Sequence, residues 1–338
     1  MSTDQLDLER LGRYLHTELP WLGDLLDARK FSDGQSNPTF LLSFTSGQYV
    51  LRRQPAGELL QSAHAVDREF RVIAALQGSA VPVPRAIHLC TQRDVIGSLF
   101  FLMSYQPGRI FWDPTLPDLD ARERSAVYSE MNRVLAALHD IDIGAVGLED
   151  FGRPGNYFER QVSRWSRQYR ASEIEPIPAM DRLIEWLPQN MPVDDGLVSL
   201  IHGDFRIDNI IFDTDSSRAL ALLDWELSTL GHPYADLAYQ CMQWRMARDC
   251  VIPGLGEVER ETLGIPSEQQ YVAEYCERRG LAAIPHWNFY LVFSYFRFAA
   301  ILQGVLRRAI DGNASSSKAF DYGALAPVLA RDALELID

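Results

Sequence analysis

The stretch SLIHGDFRIDNIIFDTDSSRALALLDWE, Ser199–Glu226, carries the most informative pattern in the 338-residue chain. Ser199–Ile201 and Ile210–Phe212 are short apolar strand runs on either side of a polar loop, His202–Asn209. Thr214–Ser217 is turn chemistry, because Asp, Ser and Thr side chains hydrogen-bond nearby backbone. Leu220–Leu223 reads as a third strand that stops at Asp224. A hairpin of this kind brings Asn209 and Asp224 together although they lie 15 positions apart. Carboxylate plus amide oxygen is the hard, incomplete oxygen shell that Mg²⁺ accepts when phosphate oxygens complete it. Asp204, five residues before Asn209, falls beside such a metal rather than on it. A carboxylate placed there can take a hydroxyl proton and aim the oxygen as a nucleophile.

Before this island, strand-like runs occur at Thr39–Phe44, Tyr49–Arg52, Ile87–Cys90 and Leu99–Met103. A helical segment, Ser62–Leu76, interrupts them, with Val66, Phe70, Ile73 and Leu76 at helical spacing. That order suits a small antiparallel sheet carrying one helix. After YQPGR, Tyr105–Arg109, helical patterns take over at Ala121–His139, Tyr157–Ala171 and Ser267–Arg279. The fold class expected is α+β in two lobes, with a sheet-bearing N-terminal lobe over residues 1–104 and a mostly helical lobe over 105–338.

Composition narrows the function. The formal charge is −14, which disfavours nucleic acid as a partner because phosphate neutralisation needs a basic face. Cys90, Cys241, Cys250 and Cys276 form no C-x-x-C pair, so neither a zinc site nor a disulfide framework is expected. The N-terminal segment lacks the apolar core of a signal peptide. The apolar run Phe289–Leu306 is broken by Ser294, Arg297, Gln303 and Gly304 and reads as a buried helix. A cytoplasmic protein without membrane association is the expectation.

The loop HGDFRIDN resembles the aminoglycoside phosphotransferase family of the protein-kinase-like superfamily, whose catalytic loop is H-G-D-x-x-x-x-N, followed some 15 residues later by a metal-binding Asp. His202, Gly203, Asp204 and Asn209 occupy every fixed position, and LLDWE supplies Asp224. The resemblance implies a phosphotransferase, or small-molecule kinase, that moves the γ-phosphoryl group of ATP, or GTP, to a hydroxyl. It implies Asp204 as catalytic base, Asn209 and Asp224 as Mg²⁺ ligands, and His202 as a brace of the loop.

The same resemblance assigns the nucleotide site. FSDGQSNPTF becomes the nucleotide-covering turn, in which Gly34, Ser36 and Asn37 offer donors to phosphate oxygens. A kinase carries its phosphate-binding Lys on the third strand, but YVLRRQP has Arg52 and Arg53 there. Strand alternation sends these two to opposite faces, and alignment favours Arg52 as the inward cation. Arg is not geometrically equivalent to Lys. Glu69 is the acidic residue that would orient Arg52. Met103, Ser104 and Tyr105 would offer backbone groups to an adenine edge at the passage between lobes.

Further segments, YVLRRQPAGELLQSAHAVDREFRV, NYFERQVSRW and LLDWELSTLGHPYADLA, resemble the branch of kinase-like domains that accompany, or are fused to, acyl-CoA dehydrogenases. That branch implies a hydroxylated acyl acceptor such as a hydroxyacyl-CoA and a functional link to such a dehydrogenase. Two alternatives stand beside it. One is a non-catalytic nucleotide-binding module that partners an acyl-CoA dehydrogenase; the other is an aminoglycoside-modifying kinase. Arg297, inside an aromatic stripe, is expected to pair with an acid such as Asp236 or to meet an anionic substrate, because an unpaired buried charge is costly.

Overall fold

The structure is a computed structural model in which residues 6–31, 37–55, 65–312 and 318–337 are described. The expected contributions of Gly34 and Ser36, and the first residues of the Ser62–Leu76 helix, lie outside them. The chain forms two compact units. One comprises Met1–Gly108 with Leu220–Glu226, and the other Arg109–Ala219 with Leu227–Asp338.

The first unit begins with α1 (Leu8–Glu18), opened by Asp7, whose carboxylate accepts the Arg10 N–H at 3.0 Å. Five antiparallel strands follow: β1 (Leu25–Lys30), β2 (Thr39–Phe44), β3 (Gly47–Arg53), β4 (Ala86–Cys90) and β5 (Phe100–Ser104), in the spatial order β1-β2-β3-β5-β4. Helix α2 (Val66–Ala75) lies between β3 and β4 in the chain.

Period-two alternation divides the sheet into two faces. Phe40, Leu42, Phe44, Leu51, Phe100 and Leu102 join Leu11 and Leu15 of α1 in one apolar core. The opposite parity, Thr39, Arg52 and Phe101 in register with one another, faces α2, where Phe70 meets Phe101 at 5.9 Å between ring centroids. Arg52 therefore points to the α2 side because its neighbours Leu51 and Arg53 face the other way. Arg53 is buried as well, its guanidinium 5.6 Å from the Phe40 ring. The segment Leu220–Glu226 is tied to this unit by the Leu222 N–H, which donates to the Pro82 carbonyl at 2.8 Å.

The second unit is mostly helical: α3 (Ala121–His139), α4 (Tyr157–Ser172), α5 (Pro178–Gln189), α6 (Tyr234–Met242), α7 (Arg260–Leu263), α8 (Glu268–Arg278), α9 (Trp287–Ile310), α10 (Ala319–Ala324) and α11 (Ala326–Leu334). Capping boxes start α3, with Asp120 and Glu123, and α8, with Ser267 and Gln270. Helices α4, α5, α6, α10 and α11 all pack on α9. It is the single described helix long and apolar enough to cross a membrane, and 78% of its most apolar window is buried. A helix apolar on all sides is what a packed centre requires.

Among the helices sit short strands β6 (Ser199–Ile201), β7 (Ile210–Phe212) and β9 (Thr229–Gly231), while β8 (Ala219–Leu222) belongs from Leu220 onward to the first unit. β6 pairs antiparallel with β9, Leu200 opposite Leu230. The turn after β7 closes through the Asp213 N–H, which donates to the Arg218 carbonyl at 2.9 Å.

Candidate active site

The loop between β6 and β7 is shaped from beneath. Asp236, in the first turn of α6, is wholly buried, and its carboxylate accepts the backbone N–H of His202 at 2.6 Å and of Gly203 at 2.8 Å. His139 Nε2 lies 3.4 Å from the same carboxylate, and His139 Nδ1 is 2.7 Å from the Tyr275 hydroxyl. Burial pushes the Asp236 carboxyl up, but the His139 hydrogen bond and charge, with the His202 N–H, hold it below its usual range. Burial also keeps His139 below its ordinary value, against the pull of Asp236. The ionised carboxylate is thus a fixed clamp on two consecutive amides.

Gly203 is required by its shape. Its φ is +83°, and a Cβ there would lie 2.6 Å from the Leu227 carbonyl oxygen. That turn presents Asp204, whose own N–H donates to His202 Nδ1 at 3.2 Å. Asn209, closing a 3₁₀ turn over Ile207–Asn209, donates its amide NH₂ to the Asp204 carbonyl at 2.9 Å and to the Asp204 carboxylate at 3.2 Å. Asp204 and Asn209 are therefore brought together, with the Asn209 amide oxygen left for another partner. Arg206 forks onto Asp208 at 3.0 and 2.7 Å. Tyr239 of α6 lies close by; burial, then the neighbouring Asp204 charge, raises its phenol.

In the first unit a second cluster forms. Arg52 lies 2.8 Å from Glu69 through Nε and 2.5 Å from Asp224 through one terminal nitrogen, with Glu226 at 4.0 Å. Glu69, 1% exposed, also accepts the Asn37 amide at 2.7 Å. Burial pushes the Glu69 carboxyl up to about 7, opposed by the Arg52 charge and the Asn37 hydrogen bond. Burial alone lowers an arginine, yet Glu69, Asp224 and Glu226 together raise Arg52. Arg52 stays charged, and it is the dominant partner of this pair. Asp224 sits at φ +63°, a left-handed conformation that Asp tolerates better than bulkier residues. The structure thus joins Asn37, Arg52, Glu69 and Asp224, and it adds Glu226, which sequence reading did not single out.

Met103 is buried at the end of β5. Ser104 uses its N–H on the Arg85 carbonyl at 2.9 Å, and its hydroxyl accepts the Arg85 N–H at 2.9 Å. Of the expected adenine contacts, the Ser104 N–H is therefore already occupied by the sheet. Tyr105, just past the strand, makes no hydrogen bond among the described residues.

Among the described residues no three His, Cys, Asp or Glu side chains gather as a metal cluster. Asp224 in the first unit and Asn209 in the second each carry a side-chain oxygen of the kind Mg²⁺ accepts. One offers a carboxylate now held by a cation, Arg52, and the other an amide oxygen that takes no hydrogen bond among the described residues. Both are hard oxygen donors of the kind Mg²⁺ takes with phosphates.

Arg297 corrects one expectation. It does not pair with Asp236, whose oxygens hold the loop; its terminal NH₂ donates to the Gly203 carbonyl at 2.5 Å, and its guanidinium lies over the Tyr239 and Trp165 rings.

An antiparallel sheet flanked by two helices, a helical unit and an H-G-D-x-x-x-x-N loop between short strands define a protein-kinase-like phosphotransferase fold. The chain belongs to the phosphotransferase enzyme family, whose model matches residues 27–280. It is 46% identical over 306 residues to acyl-CoA dehydrogenase family member 10 of Mus musculus, covering 90% of this chain and 28% of that protein. The chain spans less than half the length of the curated relatives it matches. A crystal structure of a proposed aminoglycoside phosphotransferase from Ralstonia eutropha has 45% identity and a TM-score of 0.89, with 98% of each chain covered. A thermostable mutant of aminoglycoside phosphotransferase APH(4)-Ia, solved as a ternary complex with ADP and hygromycin B, shares the fold at 15% identity. Its TM-score is 0.64, over 96% of this chain and 98% of that one.

Proposed function

We propose that the chain is a small-molecule kinase that transfers the γ-phosphoryl group of ATP to a hydroxyl on an acyl compound, with hydroxyacyl-CoA the leading acceptor class. The observation that carries this reading is the coupling of Asn209 to Asp204, 2.9 and 3.2 Å from amide to carbonyl and carboxylate, on a loop clamped by Asp236. A scaffold that only bound nucleotide would have no use for a carboxylate so fixed.

In the reaction, Asp204 accepts the proton of the acceptor hydroxyl as its oxygen bonds to the γ-phosphorus. The bond from that phosphorus to the β–γ bridging oxygen breaks, and the nucleoside diphosphate leaves with the electron pair. Such transfer needs positioning and charge stabilisation more than covalent chemistry. Asn209 and Asp224 would hold Mg²⁺, which neutralises charge on the phosphates when bound. Arg52, oriented by Glu69, would pass from Asp224 to phosphate oxygens as nucleotide and metal enter. Its planar fork suits bidentate phosphate recognition.

The relatives named as acyl-CoA dehydrogenases favour an acyl acceptor and a functional link to such an enzyme. The test is release of nucleoside diphosphate with hydroxyacyl-CoAs, sugars, amino alcohols and aminoglycosides as acceptors. Turnover is expected with the hydroxyacyl-CoAs. Turnover confined to aminoglycosides would overturn the acceptor class, and none with any acceptor would favour a binding module.

A further inference from the structure

Arg297 is 5% exposed in the middle of α9, yet among the described residues no carboxylate bonds to it. Its one hydrogen bond among the described residues goes to the neutral Gly203 carbonyl, and its guanidinium carbon lies 5.3 Å from the Tyr239 ring centroid and 5.7 Å from that of Trp165. A buried cation with only a carbonyl and two ring faces for company is expensive unless an anion visits it. The adjacent acid, Asp236, is committed to the His202 and Gly203 amides and to His139.

A second guanidinium shares the same indole. Arg164 of α4 stacks 5.3 Å from the Trp165 centroid and also has no carboxylate partner among the described residues. As a residue Arg164 is exposed, but its head group lies against the ring. Burial there, then the Arg297 charge, lowers its pKa, opposed by Tyr157. Tyr157 reports the same field. Burial pushes its phenol up to about 12 against the pull of Arg297, Arg164 and Arg160. Arg160 is turned to the Gly155 and Arg153 carbonyls, which leaves the other two as the unsatisfied charges.

We propose that Arg164 and Arg297 form an anion-reading subsite next to the catalytic loop, which takes a carboxylate or phosphate carried by the acceptor. The proposal rests on the kinase reading above and gives its acceptor a required charge. An oxyanion between two guanidiniums relieves their repulsion and gains charge-assisted hydrogen bonds in a place partly shielded by Trp165. Because Arg297 grips the carbonyl of Gly203, the residue before Asp204, an anion held there lies near the group that takes the hydroxyl proton. A polycation such as an aminoglycoside is repelled by the same pair.

The test is calorimetric titration of the full chain with 3-hydroxybutyrate, 3-hydroxybutyryl-CoA and the uncharged butane-1,3-diol. Wild type is expected to bind at least one charged probe more tightly than the diol. Arg164→Gln should weaken that binding by roughly tenfold or more, the worth of one charge-assisted hydrogen bond. Arg164→Lys should restore part of it, and the diol should be indifferent to both. Loss confined to the free acid identifies a carboxylate as the anion read; loss confined to the thioester identifies the phosphates. Wild type binding neither charged probe better than the diol overturns the proposal, as does undiminished binding by Arg164→Gln. Charge-selective binding without any release of nucleoside diphosphate would refute phosphoryl transfer and leave the subsite standing.

Discussion

Replacing Asp236 should damage the His202–Asn209 loop from below without touching nucleotide or acceptor. Its carboxylate is fully buried and accepts two consecutive backbone amides, at 2.6 and 2.8 Å. Asp236→Ala strands both donors in a dry interior. Each buried unsatisfied group costs about 1–3 kcal/mol, so the loss is about 2–6 kcal/mol, a large part of the roughly 5–15 kcal/mol that keeps a protein folded. Asp236→Asn keeps one acceptor oxygen and loses one charge-assisted bond, for about 1.5–3 kcal/mol. The assay is urea unfolding combined with hydrogen exchange of the His202 and Gly203 amides, which reports the loop even if the two units melt separately. Both variants should exchange those amides faster, and Asp236→Asn should lower kcat more than it raises the nucleotide KM. The Asp236 pKa is depressed in the folded state, so its stabilisation is present above the ordinary carboxylate value and lost as pH falls through the folded one. An Asp236→Ala protein with unchanged stability and slow exchange at Gly203 would refute the clamp.

Further outcomes follow from the first unit and the loop. Arg52→Ala leaves Glu69, 1% exposed, without its ion partner; it should cost about 3–5 kcal/mol by urea unfolding and weaken nucleotide binding measured by calorimetry. Arg52→Lys should keep most of the stability, but a single ammonium cannot fork between Glu69 and Asp224, and nucleotide affinity should still drop. Glu69 has a folded pKa of about 7 against an ordinary 4.5. Its contribution to stability is therefore full below 4.5 and lost as pH rises through about 7; melting curves across that window should show the decline in wild type and not in Glu69→Gln. Asn209→Ala frees the Asp204 carboxylate and removes an oxygen donor, so both kcat and the Mg²⁺ concentration needed for half-maximal rate should worsen in a metal titration.

The parts of this fold legible in sequence are those where chemistry and period coincide. β2 and α3 fall on the residues expected, Thr39–Phe44 and Ala121–His139, because alternation and helical spacing are strong there and Asp120 caps the helix. The contact of Asp204 with Asn209 falls within one short loop that the sequence marks as polar between two apolar strands. Other features were hidden for physical reasons. β1 is an edge strand, LLDARK, half of it charged and mostly exposed, so it lacks the alternation that reveals a strand. α1 is a short amphipathic helix whose buried face, Leu11 and Leu15, shows its purpose only once the sheet it covers exists. The return of Leu220–Glu226 to the first unit is a long-range event no local pattern encodes. The partner of Arg297 was missed because it is a backbone carbonyl, and backbone groups leave no mark in a sequence.

The most direct trial of the account compares wild type with Asp204→Asn for release of nucleoside diphosphate in the presence of Mg²⁺, ATP and the best acceptor, with nucleotide affinity measured alongside. Loss of general-base catalysis should slow turnover by about 10²- to 10⁴-fold while nucleotide binding stays within about twofold, since no phosphate contact is assigned to Asp204. Turnover preserved in Asp204→Asn, or a loss explained entirely by failure to bind nucleotide, would contradict the assignment of this loop as the catalytic one.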